Sequence, residues 1–203
     1  MMKIIFATAN KGKLREAAEV LGPDYEIVSP AGLGITEDLP ETGATLQENS
    51  RQKARYLYEK TGLPCFADDT GLEVDALGGA PGIYSARYAG PAHDSQANMD
   101  KLLAELEEIR RSRPANDESE RRARFRTVVT LILADGQEHA FEGVCEGAIG
   151  REKRGSGGFG YDPVFLPDAY PGRTLAEVSE EEKNAVSHRG RALRAMALWL
   201  KSR

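Results

Sequence analysis

The sequence predicts an α/β protein built around a mixed β-sheet, and three patterns support this class. Short apolar runs alternate with helical periodicities in the first third of the chain. A β-hairpin pattern lies in the middle, and a helical pattern closes the chain. Because the hairpin interrupts the alternation, a pure Rossmann repeat of strands and helices does not fit. The 203 residues suffice for one large domain or for two small lobes.

The first predicted elements are two strands that flank a helix. An apolar run at residues 3–8 predicts a buried strand, and residues 25–28 (YEIV) predict a second one. Between them, apolar side chains recur at helical spacing from Lys11 until a Gly-Pro pair ends the helix. The range 30–43 is rich in glycine, proline and acidic residues, so we expect a long loop there.

The next part of the chain predicts two helices around two short strands. Helical periodicity covers residues 44–60, and the runs CFADD (65–69) and LEVDAL (72–77) read as two separate strands. A turn-rich segment, 78–90, follows, and a charged helix is expected at about 94–112.

The remainder of the chain gives four further expectations. Residues 113–124, within an arginine-rich stretch (110–126), predict a solvated linker or flap, and a hairpin is expected to turn at Asp135-Gly136. Residues 155–163 predict a glycine-rich loop. Ser179 and Glu182 predict a capping box, and a C-terminal helix is expected after Gly190. Strands, helices and hairpin together predict the mixed sheet.

Composition and charge exclude several functional classes. The net charge of −5 argues against a general nucleic-acid coat protein, which is usually basic. No apolar run approaches membrane-spanning length, and the apolar stretch at the start is too short for a signal peptide. Cys65 and Cys145 lie far apart and form no CxxC motif, so thiolate metal binding is not expected. We therefore expect a reduced, cytoplasmic protein that binds neither nucleic acid nor membrane.

A strand-to-helix turn with the sequence TANKGK (residues 8–13) predicts an anion site. Backbone N–H groups and the positive dipole end of the following helix favour a phosphate there. Lys13 lies one helical turn in and can reach back, while Thr8 and Asn10 add polar groups. The turn is not a Walker A loop, because Ala7 stands where the first glycine is required. A plain connection with surface lysines stays open as the alternative.

Two adjacent acids in ADDTG (67–71) predict a carboxylate that binds metal. Strand alternation sends Asp68 and Asp69 to opposite faces, so one of them is expected to face a ligand. Mg²⁺ takes one or two protein carboxylates together with substrate phosphates. Glu41, in the long loop, is a possible second carboxylate, whereas Glu48 and Lys53 fit a solvated helix face equally well. An Asp-rich turn before the glycine is the alternative.

The glycine-rich loop and a later group of donors have chemistry suited to a base. Glycines around Phe159 and Tyr161 allow close approach to a planar ligand, although both rings could instead lie in the core. Lys183, His188 and Arg189 are three donors near a helix break, and each could also be ordinary surface charge. A phosphate turn, a metal carboxylate, an aromatic loop and a donor cluster together fit a nucleoside triphosphate.

Five blocks of the sequence resemble the inosine triphosphate pyrophosphatase family, the noncanonical purine NTP pyrophosphatases of the RdgB/HAM1 type. The blocks are TANKGKLREAAEVL, ETGATLQENSRQKA, ADDTGLEVDALGGAPGIYSARYAG, GGFGYDPVF and EEKNAVSHRGRAL. The resemblance runs from Lys3 to about Leu200 with the blocks in the family's order. It implies a single domain over 1–203, with an elongated two-lobed fold, a central mixed sheet and a substrate cleft between the lobes. It also implies a homodimer and dependence on Mg²⁺.

The resemblance further implies hydrolysis of ITP, dITP and XTP to the monophosphate and pyrophosphate. Asp69 would ligate Mg²⁺ and accept the proton of the attacking water, with Lys13 as a second catalytic residue and Glu41 as a second metal ligand. Pro40 precedes Glu41 where some relatives carry another acid, so the identity of the second loop carboxylate stays open. The implied substrate-binding residues are Thr8, Ala9, Asn10, Lys11, Gly12, Lys13, Thr70, Phe159, Gly160, Tyr161, Asp162, Lys183, His188 and Arg189.

Two other functions compete with this interpretation. A Maf-like nucleotide pyrophosphatase shares the chemistry but prefers other bases, and the FGYD and SHRG blocks favour the inosine-type enzyme over it. A non-catalytic nucleotide-binding module would bind without turnover, but it has no need of a base such as Asp69. A nucleic-acid-binding role rests only on the arginines of 110–126. The partners expected are therefore purine nucleoside triphosphates.

Overall fold

A computed structural model of the chain describes residues 2–112 and 119–203. Strands and helices alternate as the sequence predicts, and the mixed α/β class is confirmed. The elements are β1 (Met2–Phe6), α1 (Lys11–Leu21), β2 (Tyr25–Val28), α2 (Leu46–Thr61), β3 (Cys65–Val74), β4 (Pro81–Gly82), α3 (Ser95–Arg111), β5 (Arg122–Ile132), β6 (Glu138–Ile149), β7 (Phe165–Pro167), α4 (Glu180–Val186) and α5 (His188–Lys201).

The strands form one sheet of mixed direction. Its order is β2-β1-β3-β5-β6-β7, and β4 pairs with β3 outside this path. Strand β1 runs parallel to both β2 and β3, whereas β4 pairs antiparallel with β3 and β7 pairs antiparallel with β6. By contacts the chain divides into unit 1 (Met1–Asp69, Thr127–Gly143, His188–Arg203) and unit 2 (Thr70–Arg126, Val144–Ser187).

Unit 1 buries both faces of its central strands. Ile4 and Phe6 belong to a core cluster that includes side chains of α1 and α5. Ile5, between them, belongs to a second cluster that includes Ala54 and Leu57 of α2. Successive side chains of a strand point to opposite faces, so helices cover this part of the sheet on both sides. Residues 4–6 of β1 are therefore a continuous apolar run rather than an alternating one.

Unit 2 has its own hydrophobic core. Met99, Leu102 and Leu106 recur at helical spacing along one face of α3 and are fully buried in it. Phe125 of β5 and Phe165 of β7 belong to the same cluster, with ring centroids 4.7 Å apart. Each unit thus has apolar packing that can hold polar side chains in fixed positions.

Three predicted boundaries were wrong. Residues 65–77 form one strand to Val74 followed by a 3₁₀ turn, because Asp68 and Asp69 are ion-paired and can stay in a strand. Helix α5 begins at His188, before Gly190. Of the predicted linker 113–124, residues 113–118 lie outside the described residues, and residues from Arg122 onward belong to β5.

The solvated interpretation of the arginines was also wrong in part. Arg121 is 4% exposed, and its Nη1 donates to the carbonyl oxygens of Ile149 and Gly150. The hairpin turn at Asp135-Gly136, with a positive φ at the glycine, and the capping box of Ser179 with Glu182 are present as predicted. In the described ranges, none of the helices combines the length and apolar character that crossing a membrane requires.

Candidate active site

The turn between β1 and α1 is ordered by its own polar side chains. Asn10 caps the helix, since its Oδ1 accepts hydrogen bonds from the backbone N–H of Gly12 at 2.8 Å and of Lys13 at 3.2 Å. Thr8 Oγ1 accepts from the Asn10 N–H at 3.1 Å. The backbone N–H groups of Gly12 and Lys13, which the sequence predicts to bind an anion, therefore donate to the side chain of Asn10 in this structure. Residues 9–12 are exposed, so a ligand can reach the turn.

Asp68 holds two cations in unit 1. Lys13 Nζ lies 3.0 and 2.9 Å from its two carboxylate oxygens, and Arg189 Nε donates to Oδ2 at 3.1 Å. Arg189 Nη1 also donates to Glu16 at 3.0 Å. Burial alone would raise the pKa of Asp68, but the charges of Lys13, Arg189 and Lys53 outweigh it and hold this pKa well below its ordinary value. Asp68 is therefore an anion at neutral pH.

Asp69 faces a different cation. Lys53 Nζ lies 3.2 Å from Asp69 Oδ1 and 2.5 Å from Glu41 Oε1, and Lys53 is only 7% exposed. Burial raises the pKa of Asp69, and the charge of Glu41 adds to this, while Lys53 opposes it. Burial by itself lowers the pKa of Lys53, but Asp69, Asp68 and Glu41 outweigh it and raise this pKa. Two carboxylates thus converge on one buried positive charge.

The loop that carries Glu41 is fastened to helix α2. Three successive backbone amides, those of residues 42–44, donate to Gln52, Asn49 and Glu48 at 2.6–2.8 Å. Glu48 therefore orders the start of α2 instead of joining the carboxylates, and Glu41 is the loop acid that shares a cation with Asp69.

The glycine-rich loop of unit 2 presents one aromatic ring and buries the other. Phe159 is 66% exposed, whereas Tyr161 is 5% exposed and donates its hydroxyl to the carbonyl of Ser85. Asp162 is buried and accepts from the Phe159 N–H and from Lys183 Nζ. Lys183 Nζ lies 4.5 Å from the Phe159 ring centroid, a cation–π distance. The loop therefore combines an exposed ring with a cation that a buried carboxylate holds.

The predicted site residues fall into both units. Unit 1 contains residues 8–13, Glu41, Asp69, His188 and Arg189, and unit 2 contains Thr70, residues 159–162 and Lys183. The predicted donor cluster divides, because Lys183 bonds to Asp162 whereas Arg189 bonds to Asp68 and Glu16. His188 begins α5, where the chain passes so close to Gly143 that a Cβ there would lie 1.9 Å from the His188 oxygen.

Sequence reasoning missed Glu16, left Lys53 open as a residue of a solvated helix face, and missed the pairing of Asp68 with Arg189. Glu16 follows Lys13 by three positions on α1, which is the spacing that places two side chains on one helix face. Lys53 belongs with Asn49 and Ser50 to the buried face of α2, and this polar stripe at helical spacing was a usable signal. The pairing of Asp68 with Arg189 joins residues 121 positions apart, and no local pattern indicates it.

The fold and these clusters define a class of protein. Carboxylates of the sheet strand β3, which helices flank, hold three cations in place: Lys13, Lys53 and Arg189. An exposed turn leads into the helix that carries Lys13. Fixed cations of this kind stabilise phosphate groups in phosphate-processing enzymes. A family model described as the Ham1 family matches residues 4–199, and the chain belongs to that family.

Known proteins are similar to this chain over nearly its full length. The chain is 51% identical to a curated relative from Porphyromonas gingivalis named dITP/XTP pyrophosphatase, over 95% of this chain and 94% of that one. A HAM1 protein structure from Coxiella burnetii is 39% identical with a TM-score of 0.89, covering 100% of both chains. The structure of a nucleoside-triphosphatase, dITP/XTP pyrophosphatase, from Mycobacterium abscessus is 45% identical with a TM-score of 0.80, covering 96% of this chain and 98% of that one.

Proposed function

We propose that this protein hydrolyses noncanonical purine nucleoside triphosphates, ITP, dITP and XTP, to the monophosphate and pyrophosphate. The observation that carries the proposal is the pair of cation–carboxylate clusters on consecutive residues of β3, Asp68 and Asp69, in a chain of the Ham1 family. The names of the relatives, dITP/XTP pyrophosphatase, supply the substrate class. Because these relatives match nearly the whole chain, a Maf-like base preference is not favoured.

The residues present fit a Mg²⁺ ion bound by Glu41 and Asp69. Their oxygens already converge on one cation, the ammonium of Lys53. Within residues 2–112 and 119–203 no cluster of three or more His, Cys, Asp or Glu side chains could hold a metal. A site with two carboxylates suits Mg²⁺, which completes its shell with substrate phosphates and water. When bound, the ion would supply charge neutralisation for the phosphates.

Asp69 is the group that we assign to the attacking water. Release of pyrophosphate requires that water forms a bond to the α-phosphorus while the bond from that phosphorus to the bridging oxygen breaks. Burial and Glu41 raise the pKa of Asp69, so its carboxylate is a better proton acceptor than an exposed aspartate. Lys13, at the exposed turn, would hold the phosphate oxygens as negative charge moves to the leaving group.

Arg189 is the donor that we assign to the purine 6-oxygen. Its Nε and Nη1 are held by Asp68 and Glu16, and we assign its third nitrogen, Nη2, to the base. Hypoxanthine and xanthine present an acceptor oxygen at position 6, where adenine presents an amino donor. A site built to hydrogen-bond one group rejects analogues that lack it by roughly 10⁴ or more. In unit 2, the exposed Phe159 ring is suited to stacking on a base.

The proposal includes a homodimer in a reducing, cytoplasmic setting that binds no nucleic acid. Cys65 and Cys145 are both buried and are not joined in a disulfide, which supports the reducing compartment. The net charge of −5 supports the absence of a nucleic-acid partner. Light scattering on the purified protein measures the oligomeric state directly, and a monomeric mass would remove the dimer from the proposal.

The Asp69→Asn variant tests the catalytic assignment. Turnover of ITP should fall by about 10³-fold or more, since the amide cannot accept the proton, while ITP binding persists. Pyrophosphate release and calorimetric binding are the two measurements. Asp135→Asn, in the hairpin turn, is the matched control and should keep full activity. Turnover near the wild-type rate in Asp69→Asn would remove Asp69 from the chemistry. If the wild type binds ITP without any turnover, the protein is a nucleotide-binding module.

A further inference from the structure

The two cations to which we assign phosphate and base contacts share one carboxylate. Asp68 Oδ2 lies 2.9 Å from Lys13 Nζ and 3.1 Å from Arg189 Nε. Lys13 belongs to α1, Arg189 to α5 and Asp68 to β3 between them in sequence, so the contact ties three elements of unit 1 together.

The three side chains differ in how far solvent reaches them, and this difference indicates which of them can contact a ligand. Asp68 has 2% of its side chain exposed, whereas Lys13 has 25% and Arg189 has 10%. A ligand can therefore reach Lys13, but it cannot reach the carboxylate that holds it. Asp68 acts on a ligand only through its neighbours.

We propose that Asp68 is a positioning residue that couples phosphate binding at Lys13 to base selection at Arg189. This inference rests on the function proposed above. Asp68 fixes the orientation of the guanidinium, and it also competes with phosphate oxygens for Lys13, because one ammonium has only three N–H donors to share. If either cation leaves Asp68, the strength of the interaction between Asp68 and the other cation changes.

The structure offers a matched pair of substitutions. Asp68→Asn and Glu16→Gln each remove one negative charge that contacts Arg189, and each replaces a carboxylate by an amide of similar size. Asp68 in addition accepts from Lys13 Nζ with both of its carboxylate oxygens, at 3.0 and 2.9 Å. A difference between the two variants therefore reports the Lys13 contact rather than the net charge.

The first measurement is calorimetric binding of inorganic pyrophosphate in EDTA, without turnover and without a base. Asp68→Asn should bind pyrophosphate about tenfold more tightly than the wild type, because Lys13 loses a competing anion at hydrogen-bond distance. Glu16→Gln should stay within about twofold of the wild type. Equal effects in both variants would show a general charge effect and would overturn the proposal, as would no effect in Asp68→Asn.

The second measurement is base discrimination, the ratio of kcat/KM for ITP to that for ATP. This ratio should fall in both variants, since each removes one of the two carboxylates that orient Arg189, and roughly tenfold or more in Asp68→Asn. Tighter pyrophosphate binding with unchanged discrimination would leave Asp68 as a counter-ion of Lys13 alone and would overturn the coupling. Pyrophosphate binding stays informative if the proposed activity is absent, so the two failures are distinguishable.

A third variant covers the case in which Asp68→Asn does not fold. Arg189→Lys keeps the positive charge but loses the forked geometry. If Asp68 couples the two cations, its carboxylate shifts toward Lys13, and pyrophosphate binding weakens by about threefold. Wild-type pyrophosphate binding in Arg189→Lys would overturn the coupling, because pyrophosphate carries no base for Arg189 to contact.

Discussion

Among single residues, Lys53 places its ammonium between two carboxylates, as a bound metal ion would be placed. Its ammonium lies between Glu41 and Asp69 in a position that is only 7% exposed. Two carboxylates this close to one another repel unless a cation separates them. Lys53 thus holds open the place at which we propose that a divalent ion binds.

Lys53→Met should therefore make the fold depend on a divalent ion. Breaking a buried ion pair by removing one partner costs about 3–5 kcal/mol, so we expect a clear fall in Tm in EDTA. Millimolar Mg²⁺ should raise the Tm of this variant more than that of the wild type, because the ion replaces the lost cation. Differential scanning fluorimetry with and without Mg²⁺ measures both effects.

Arg51→Met is the matched control on the same helix. Arg51 is 55% exposed in its side chain and pairs with Glu138, away from Glu41 and Asp69. Its Tm should respond to Mg²⁺ as the wild type does. An equal Mg²⁺ response in Lys53→Met and in the wild type would contradict the proposed metal site.

At the scale of elements, the glycine-rich loop is shaped by Gly158. Its φ is +71°, and a Cβ there would lie 2.0 Å from Asp162 Oδ2. Asp162 is the buried acceptor that holds both the Phe159 N–H and Lys183. Only glycine therefore allows the loop to wrap this closely around its carboxylate.

Gly158→Ala should displace Asp162 and lower kcat/KM for ITP by roughly tenfold or more, since the exposed ring and Lys183 lose their common support. Gly172→Ala is the control, because Gly172 also has a positive φ, of 79°, but has open space around its missing Cβ. Both variants carry the left-handed backbone strain of about 1–2 kcal/mol, which thermal denaturation measures. Equal kcat/KM in the two variants would show that the Asp162 contact is not needed.

Most elements could be predicted from the sequence, since local signals specify them. The Lys11–Leu21 helix ends at a glycine, the 25–28 strand has its predicted bounds, and the capping box starts α4. Strand β3 was wrongly divided because its two acids are typical of a turn. Their charges are balanced by Lys13, Lys53 and Arg189, and that balance is a tertiary property.

At the scale of the whole molecule, the two units have separate cores and separate polar clusters. Residues of three sequence ranges build unit 1, so the contacts of Asp68 join positions 55 and 121 residues apart. Periodicity and capping rules describe neighbours along the chain and carry no information about such pairs. Motif resemblance predicts which residues act, whereas the partner of each residue required the folded chain.

At this scale, pyrophosphate release from ITP, XTP, GTP and ATP is the measurement that shows whether the protein selects noncanonical purine triphosphates. Each triphosphate is incubated with the wild-type protein in Mg²⁺ and, separately, in EDTA, and both products are identified. We expect metal-dependent release of pyrophosphate and monophosphate that is largely confined to ITP and XTP. Equal turnover of all four triphosphates would contradict the base selection assigned to Arg189, and full turnover in EDTA would contradict the metal site at Glu41 and Asp69.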